Sequence, residues 1–448
     1  MGARSAVAAL TETRGDTVSA GHRLYVGVDV GRREHIVAAI SEEQMLRGSW
    51  ERAPVHRVPT NGHGFRELTE WLRASGYALD EIEVGCEPTG GWYAQTVAAW
   101  LERHGYVVSW LQNAALHERR QLLIGKQTKT DALDARLIAR LLFERACFGQ
   151  RAGFLHRPPR GTDALRMLVR NRHKLVEERI RYRQQLTAVE DVLFPELKDF
   201  FRHSITGRAA RHFLEAYPTP DAVFNAAPAE VYRVVVVEAR GGTLASRLAD
   251  LQLAAYDSAG LVDGIEPILH AQRWLLEQLH RVDDQVERTE AAITGALEVW
   301  PASERAVLAS LPGMSPMRQA VLLSAIGDLA TFSSDRQLRK FLGWYPELRE
   351  SGSSVAKHHL GLSGRRLARR EIWLWSLALC SPRHPATPFR AYYQRLRERG
   401  VTGHVALGHL AGKLISVLFY CVQRNESYDA DRHFRDLGLS DACPVHEP

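Results

Sequence analysis

Two carboxylates, Asp131 and Asp134, stand three residues apart in Lys129-Thr-Asp-Ala-Leu-Asp-Ala-Arg-Leu-Ile-Ala-Arg140. Leu133, Leu137 and Leu141, with Ala135, Ile138 and Leu142, recur at helical spacing around and beyond them, so the segment predicts a helix. Positions i and i+3 share a helix face, and two carboxylates on one face can present oxygen to a single divalent cation. A plainer role is open to Asp131, since a carboxylate at a helix start caps free backbone N–H groups. Two further carboxylates shift the balance. Asp29 and Glu87 stand at or near the ends of the strand-like runs Leu24-Tyr-Val-Gly-Val-Asp-Val-Gly31 and Ile82-Glu-Val-Gly-Cys-Glu87. A carboxylate in an apolar strand is costly unless it is paired or metal-bound. An oxygen-only donor set selects Mg2+ or Mn2+ over zinc. Such ions activate a nucleophile and stabilise a leaving oxygen at phosphorus.

The elements that must position these groups follow in chain order. Leu24–Gly31 and His35-Ile-Val-Ala-Ala-Ile40 flank the charged turn Gly31-Arg-Arg-Glu34 and predict a hairpin. Residues 49–55 are expected to add a third antiparallel strand. Residues 64–74 form an amphipathic helix through Phe65, Leu68 and Leu72. The strand ending at Glu87, a helix over 92–104, a strand over 106–111 and the Asp131/Asp134 helix complete a mixed α/β sheet. Its strand ends and one helix face can converge at a single edge.

Beyond residue 150 the chain turns basic and helical. Residues 157–183 carry nine Arg/Lys against the three acids Asp163, Glu177 and Glu178. An apolar stripe through Leu165, Leu168, Leu175, Val176 and Leu186 makes this a long amphipathic helix ending at Phe194-Pro195. Its basic face is either simply solvated or a phosphate-contact surface, for which the arginine fork is well shaped. Arg166, Arg170, Arg172 and Lys174 are the candidates there. Residues 210–217 and 227–238 look helical. Residues 265–297 predict a second long helix, and the two together suggest an antiparallel stalk that either pairs subunits or packs within one chain. Leu311-Pro-Gly-Met314 joins two apolar helices in the manner of a helix-hairpin-helix, whose turn can offer backbone N–H groups to phosphate. A capped helix runs from Phe332 to Gly343. Residues 336–370 hold nine Arg/Lys against Glu347 and Glu350, around Ser351-Gly352. Spacing alone makes Ser351 an ordinary turn residue. Apolar helices over 369–380 and 405–422 should build the C-terminal core.

The whole chain sets bounds. Its 448 residues imply two or three domains, and 45% apolar content is that of a globular protein. A net charge of +6 and a pI near 9.1 are compatible with a polyanionic partner. Five dispersed cysteines without CxxC spacing argue for a reducing compartment and against a disulfide scaffold or zinc site. Residues 1–22 are expected to be a disordered leader. No apolar stretch of membrane-spanning length is expected, which points to a cytoplasmic protein with no membrane partner.

Taken in order, these motifs resemble one family. Tyr25-Val-Gly-Val-Asp-Val, Glu87-Pro-Thr-Gly-Gly, Lys129-Thr-Asp-Ala-Leu-Asp-Ala, Leu311-Pro-Gly-Met, Phe341-Leu-Gly with Pro346, Ser351-Gly352, and His404-Val-Ala-Leu with Lys413-Leu414 are similar to the DEDD transposases of insertion sequences, the IS110 family of RNA-guided recombinases. The resemblance covers roughly residues 24–430. It implies a RuvC-like, ribonuclease H-like N-terminal fold with Asp29, Glu87, Asp131 and Asp134 as metal-binding and catalytic carboxylates. It implies a mostly helical C-terminal transposase domain with Ser351 as nucleophile; Ser353 and Ser354 rank behind it. The implied division is 1–22 leader, 23–150 RuvC-like domain, 151–300 basic helix and coiled-coil stalk, 301–430 transposase domain, 431–448 tail. Implied partners are donor and target DNA, a structured noncoding guide (bridge) RNA, and further copies of the chain, a dimer assembling to a tetramer. Lys357, Arg365 and Arg366 then join the candidate nucleic-acid contacts, and His358 and His359 are either phosphate contacts or proton-transfer aids. One departure stands out. The family's Lys-x-Gly-Asn after the serine loop is here Gly361-Leu-Ser-Gly-Arg-Arg-Leu-Ala-Arg370, basic but without the asparagine. Three alternatives remain at this level: a metal-dependent junction nuclease that does not use Ser351, a non-catalytic nucleic-acid-binding protein, and a sugar-kinase-like ATPase, which lacks a phosphate-cradling glycine loop.

Overall fold

The computed structural model describes residues 23–435 apart from 88–92, 112, 125–129, 149–154, 157–161, 202–204, 239–241, 328, 330–331, 350–356 and 361–363. The leader at 1–22 and most of the tail at 431–448 lie outside the described residues. The chain divides into two compact units, Met1–Pro159 and Arg160–Pro448.

The first unit is built on a six-stranded sheet whose strands, numbered along the chain, lie in the order 3-2-1-4-5-6. β1 (Leu24–Asp29) and β2 (Glu34–Ser41) form the hairpin, and β3 (Val55–Pro59) extends it antiparallel. The third strand therefore begins where 49–55 was expected to end. Trp50–Arg52 instead form a short 3-10 turn that buries Trp50, and Ala53 is buried after it. The strand is delayed because the bulky ring is used to close the core below β2. Helix α1 (Gly62–Arg73) is capped by Asn61, whose side chain accepts from Gly64 N. β4 (Ile82–Cys86) lies parallel to β1, and β5 (Val107–Leu111) parallel to β4, with helix α2 (Tyr93–Arg103) between them in sequence. Helix α3 (Asn113–Ile124), helix α4 (Asp131–Phe148) and the two-residue β6 (Leu155–His156), antiparallel to β5, follow.

Alternation along the strands sorts their side chains between two layers. Leu24, Val26 and Val28 of β1 and Ile82, Val84 and Cys86 of β4 pack with Phe65, Leu68 and Leu72 of α1 and Val97, Ala98 and Leu101 of α2. Tyr25 and the inward residues of β2 (Ile36, Ala38 and Ile40) pack instead with Ala135, Leu137, Ile138 and Leu142 of α4. That helix is buried along most of its length, which explains why its apolar residues run nearly all round rather than as one stripe.

The second unit is helical. Helices α5 (Thr162–Leu193) and α6 (Glu266–Leu297), 32 residues each, lie against one another. Their polar pairs give the direction: Arg172 meets Glu290, Arg179 meets Asp283, and Gln272 donates to Glu190. Partners rise along α5 as they fall along α6, so the pair is antiparallel. At the turn end, Leu186, Phe194, Phe200, Phe213, Leu276 and Leu279 form the core of a small helical insertion. At the open end, Leu165, Val169, Ile293 and Leu297 join the core of the C-terminal helices. The helix expected over 227–238 is two pieces, Pro228–Tyr232 and a π-helical turn Arg233–Glu238.

The longer helices after these are α7 (Ala302–Ala309), α8 (Pro316–Ile326), α9 (Asp335–Leu342), α10 (Arg366–Cys380), α11 (Pro388–Glu398) and α12 (Gly403–Arg424). Ser334 caps α9, and Gly343 ends it in the left-handed region at φ 80°. Among the described residues one helix, α12, is long and apolar enough to cross a membrane, contrary to the sequence expectation. It is a core helix: Leu410, Leu414, Ile415 and Leu418 are buried against Trp375, Leu379 and Phe389.

Candidate active site

Topology places the ends of the adjacent strands β1 and β4, which carry Asp29 and Glu87, at the end of the sheet from which α4 starts with Asp131 and Asp134. In β1 and β4 the register pairs Gly27 with Gly85 and Val28 with Cys86. Asp29 and Glu87 are thus the next residues on adjacent parallel strands. By alternation both belong to the α4 side of the sheet, with Tyr25, Gly27, Glu83 and Gly85. Glu83 confirms the side, since Arg145 of α4 approaches it at 3.8 Å.

The direction of α4 does the rest. The Tyr25 ring meets Phe143 edge-on at 5.6 Å, near the end of α4. Two residues later, Gly27 faces Ala135 and Ala139; a Cβ added there would lie 1.9 Å from the Ala135 carbonyl oxygen. Walking up β1 is walking back along α4. The next outward step reaches Asp29 on the strand and the first turn of α4, which holds Asp131 and Asp134. Glycine is required at position 27 because the two backbones approach too closely for any side chain.

The capping role open to Asp131 falls to Thr130, whose hydroxyl accepts from Leu133 N at 3.3 Å. Asp131 is exposed. Asp134 is 2% exposed and engaged: Arg120 Nη1 of α3 donates to both its oxygens, at 2.8 and 2.6 Å. Arg120 Nη2 lies 3.2 Å from His117 Nδ1. Sequence reasoning missed Arg120; its only signal was an Arg-Arg pair on the preceding helix. Among the described residues no three His, Cys, Asp or Glu side chains are grouped to hold a metal ion. The donor set, carboxylate oxygens alone, is of the kind that suits a hard divalent cation, while in this structure the positive charge beside buried Asp134 is the Arg120 guanidinium.

In the second unit, β7 (Pro346–Arg349) and β8 (Lys357–Leu360) pair antiparallel, with Arg349 opposite Lys357. Sequence patterning missed this hairpin, whose strands are only four residues each. Residues 350–356, which include Ser351, Ser353 and Ser354, connect the strands and lie outside the described residues. So do the side chains of Lys357, His358 and His359.

The candidate nucleic-acid contacts divide. Arg166 is tied to Asp163 at 2.7 Å and to the Ser324 carbonyl at 3.0 Å, and Arg172 to Glu290 at 2.7 Å. Arg170, Lys174 and Arg366 are exposed. Arg365 lies over the Phe341 ring at 4.9 Å. Although Arg365 keeps contact with solvent, partial desolvation by packed neighbours, then the charges of Arg166 and Arg170, push its guanidinium below the usual arginine range. Arg370 comes within 3.1 Å of His173 Nδ1, and Arg369 lies over Trp344. His173, Arg369 and Arg370 belong to this basic surface and were not singled out from sequence.

The Leu311-Pro-Gly-Met314 turn is present between α7 and α8, with Gly313 at φ 69°. Its carbonyls are held from inside: Trp375 Nε1 donates to Pro312 O at 2.7 Å, and Arg318 donates to Gly313 O while pairing with Glu371.

Two family models match this chain. Residues 26–195 match the DEDD transposase model of the IS110 type, and residues 305–394 match the transposase model of the IS116/IS110/IS902 family. The insertion element IS110 uncharacterized 43.6 kDa protein of Streptomyces coelicolor is 30% identical, over 93% of this chain and 97% of its own. The chain belongs to the IS110 transposase family. The transposase is also similar to the insertion element IS116 uncharacterized 44.8 kDa protein of Streptomyces clavuligerus, at 25% identity over 89% of this chain and 94% of that one. A third relative is the pilin gene-inverting protein of Moraxella bovis, at 22% identity over 92% and 99%. As a member, the transposase is a DNA-acting enzyme of strand cleavage and rejoining. Its mixed sheet and helices suit a RuvC-like transposase domain.

Proposed function

We propose that this transposase exchanges DNA strands under the guidance of a structured noncoding RNA, through a phosphoserine intermediate on Ser351. What supports the proposal is the placement of Asp29 and Glu87 at adjacent strand ends beside the helix start that carries Asp131 and Asp134, in a chain that aligns with its relatives nearly end to end. Serine is a weak nucleophile until its proton is removed. The Ser351 hydroxyl loses its proton as its oxygen attacks a DNA phosphorus; the displaced strand oxygen takes up a proton and leaves as a free hydroxyl. The hydroxyl released in the same way from the partner strand then attacks the phosphoserine, forming the new phosphodiester while the Ser351 oxygen leaves and regains its proton. Bond energy is kept in the protein–DNA link, so no nucleotide is consumed. Mg2+ or Mn2+ held by the four carboxylates would supply the positive charge that stabilises developing oxyanions. Arg170, Lys174, Arg365, Arg366 and Arg370 serve as phosphate contacts for DNA or RNA. Carboxylates of one copy act with the serine of another in a dimer that assembles to a tetramer. Gene inversion, named for the Moraxella relatives, demands the same cut-and-rejoin chemistry at two sites.

The test is strand exchange with purified protein, Mg2+, donor and target DNA, with and without RNA transcribed from the flanking element. Recombinant product that requires the RNA, and follows changes made in its pairing segments, supports the proposal. Product formed equally well without RNA removes the guidance. Cutting without joining favours a junction nuclease.

A further inference from the structure

The Arg120–Asp134 pair has no place in the scheme above, yet it sits on a carboxylate that the scheme uses. Arg120 Nη1 straddles both Asp134 oxygens at 2.8 and 2.6 Å, the same two atoms a divalent cation would engage. Both partners are shielded, with side-chain exposures of 15% and 3%. An unpaired carboxylate at that depth would be strongly unfavourable, so the ionised form of Asp134 needs a positive charge beside it. The guanidinium supplies it in the chain as it stands.

We infer that Arg120 is an exchangeable counter-ion: it neutralises Asp134 before a divalent cation arrives and passes to a phosphodiester group of bound nucleic acid when the cation takes Asp134. The inference rests on the metal site proposed above. Three features fit the exchange. Two like charges, cation and guanidinium, cannot share one buried carboxylate without repulsion. Arginine keeps its charge wherever it goes, and its planar fork matches phosphate as well as carboxylate. Helix α3 has a second anchor on α4, Arg119 with Glu144 at 2.9 Å, so Arg120 can leave Asp134 without α3 losing its hold. The result is linkage: cation and nucleic acid each raise the other's affinity, because each removes the competitor or supplies the alternative partner. The enzyme then loads its cation chiefly when DNA or RNA is already in place.

The experiment is a Mn2+ titration of the full chain, with free Mn2+ read by electron paramagnetic resonance, alone and with an uncleavable duplex oligonucleotide. Wild type, Arg120→Gln, Arg120→Lys and Asp29→Asn are compared after circular dichroism confirms folding. Arg120→Gln is expected to bind Mn2+ at least about tenfold more tightly than wild type without DNA, equivalent to ~1.4 kcal/mol. Arg120→Lys, which keeps a charge but not the fork, falls between them. DNA should tighten Mn2+ binding in wild type and much less in Arg120→Gln. Asp29→Asn should weaken binding in either background. Unchanged Mn2+ affinity in both Arg120 variants, with Asp29→Asn still weakening it, overturns the exchange and leaves the metal site standing. Mn2+ binding indifferent to Asp29→Asn removes the metal site and the exchange with it.

Discussion

Replacing Gly27 with alanine adds one methyl group at the point where β1 and α4 touch. Its Cβ would lie 1.9 Å from the Ala135 carbonyl oxygen and 2.6 Å from the Ala139 amide nitrogen. Both obstacles are backbone atoms of a buried helix, so no rotamer change relieves them. To restore even a 3.0 Å contact, α4 must retreat by more than 1 Å. Overpacking of a tight core costs ~1–3 kcal/mol, and this site belongs at the upper end. For a unit the size of Met1–Pro159, that corresponds to a fall in Tm of about 6–12 °C. The same retreat moves Asp131 and Asp134 away from Asp29 and Glu87, and a 1 Å misplacement in an active site lowers rate by roughly a hundredfold. Gly85 is the internal control. A Cβ there meets Leu111 Cδ1 at 2.9 Å, Ile138 Cγ2 at 3.0 Å and Leu142 Cδ1 at 3.1 Å, all side-chain methyls that can yield. Gly85→Ala should therefore cost about 1 kcal/mol. The assay is thermal unfolding by circular dichroism together with strand exchange. If Gly27→Ala is no worse than Gly85→Ala in either, α4 does not lie on β1 as described, and the placement of the four carboxylates at one end of the sheet fails with it.

Other expectations follow from the helical unit. Glu190 is fully buried between α5 and α6, and desolvation pushes its carboxyl up to about 7, against an opposing hydrogen bond from Gln272. Its folded pKa exceeds its unfolded one, so its stabilisation is complete below about pH 4.5 and is lost as pH rises through about 7. Chemical unfolding from pH 5 to 8 should show wild type losing stability by ~3 kcal/mol from this group, a loss absent in Glu190→Gln. Trp375→Phe leaves the Pro312 carbonyl without its 2.7 Å donor and should cost about 1–2 kcal/mol in denaturant unfolding. Gly295, inside α6 with nothing within 4 Å of an added Cβ, predicts the reverse. Gly295→Ala should stabilise by roughly 0.5–1 kcal/mol, read as a raised urea midpoint.

Much of the first unit was legible in the sequence because its signals are local. The apolar, β-branched runs of β1 and β2 on either side of a charged turn and the stripe Phe65, Leu68, Leu72 each fix an element from a few neighbouring residues. What escaped depends on tertiary packing. The start of β3 at Val55 is set by Trp50 burying itself, which no strand propensity registers. The β7–β8 hairpin has only four residues in each strand, too few for a period-two pattern to stand out, and its pairing depends on the partner strand. At the site, the four carboxylates were visible as charges where apolar runs end. Their placement at one end of the sheet follows only from the register of β1 on β4 and from the close approach of α4 at Gly27. Arg120 was invisible because any of several upstream arginines could have answered Asp134. Basic composition over 157–183 showed a charged face but not that Arg166 and Arg172 hold the fold together.

The most direct measurement is a covalent trap. Transposase, flanking-element RNA, labelled donor and target DNA and Mg2+ are combined and resolved on a denaturing gel, with Ser351→Ala and Asp131→Ala alongside wild type. The serine mechanism predicts a protein–DNA adduct in wild type that both substitutions abolish while the protein remains folded. Strand cleavage without an adduct, undiminished in Ser351→Ala, would contradict it and assign the chemistry to the carboxylates alone.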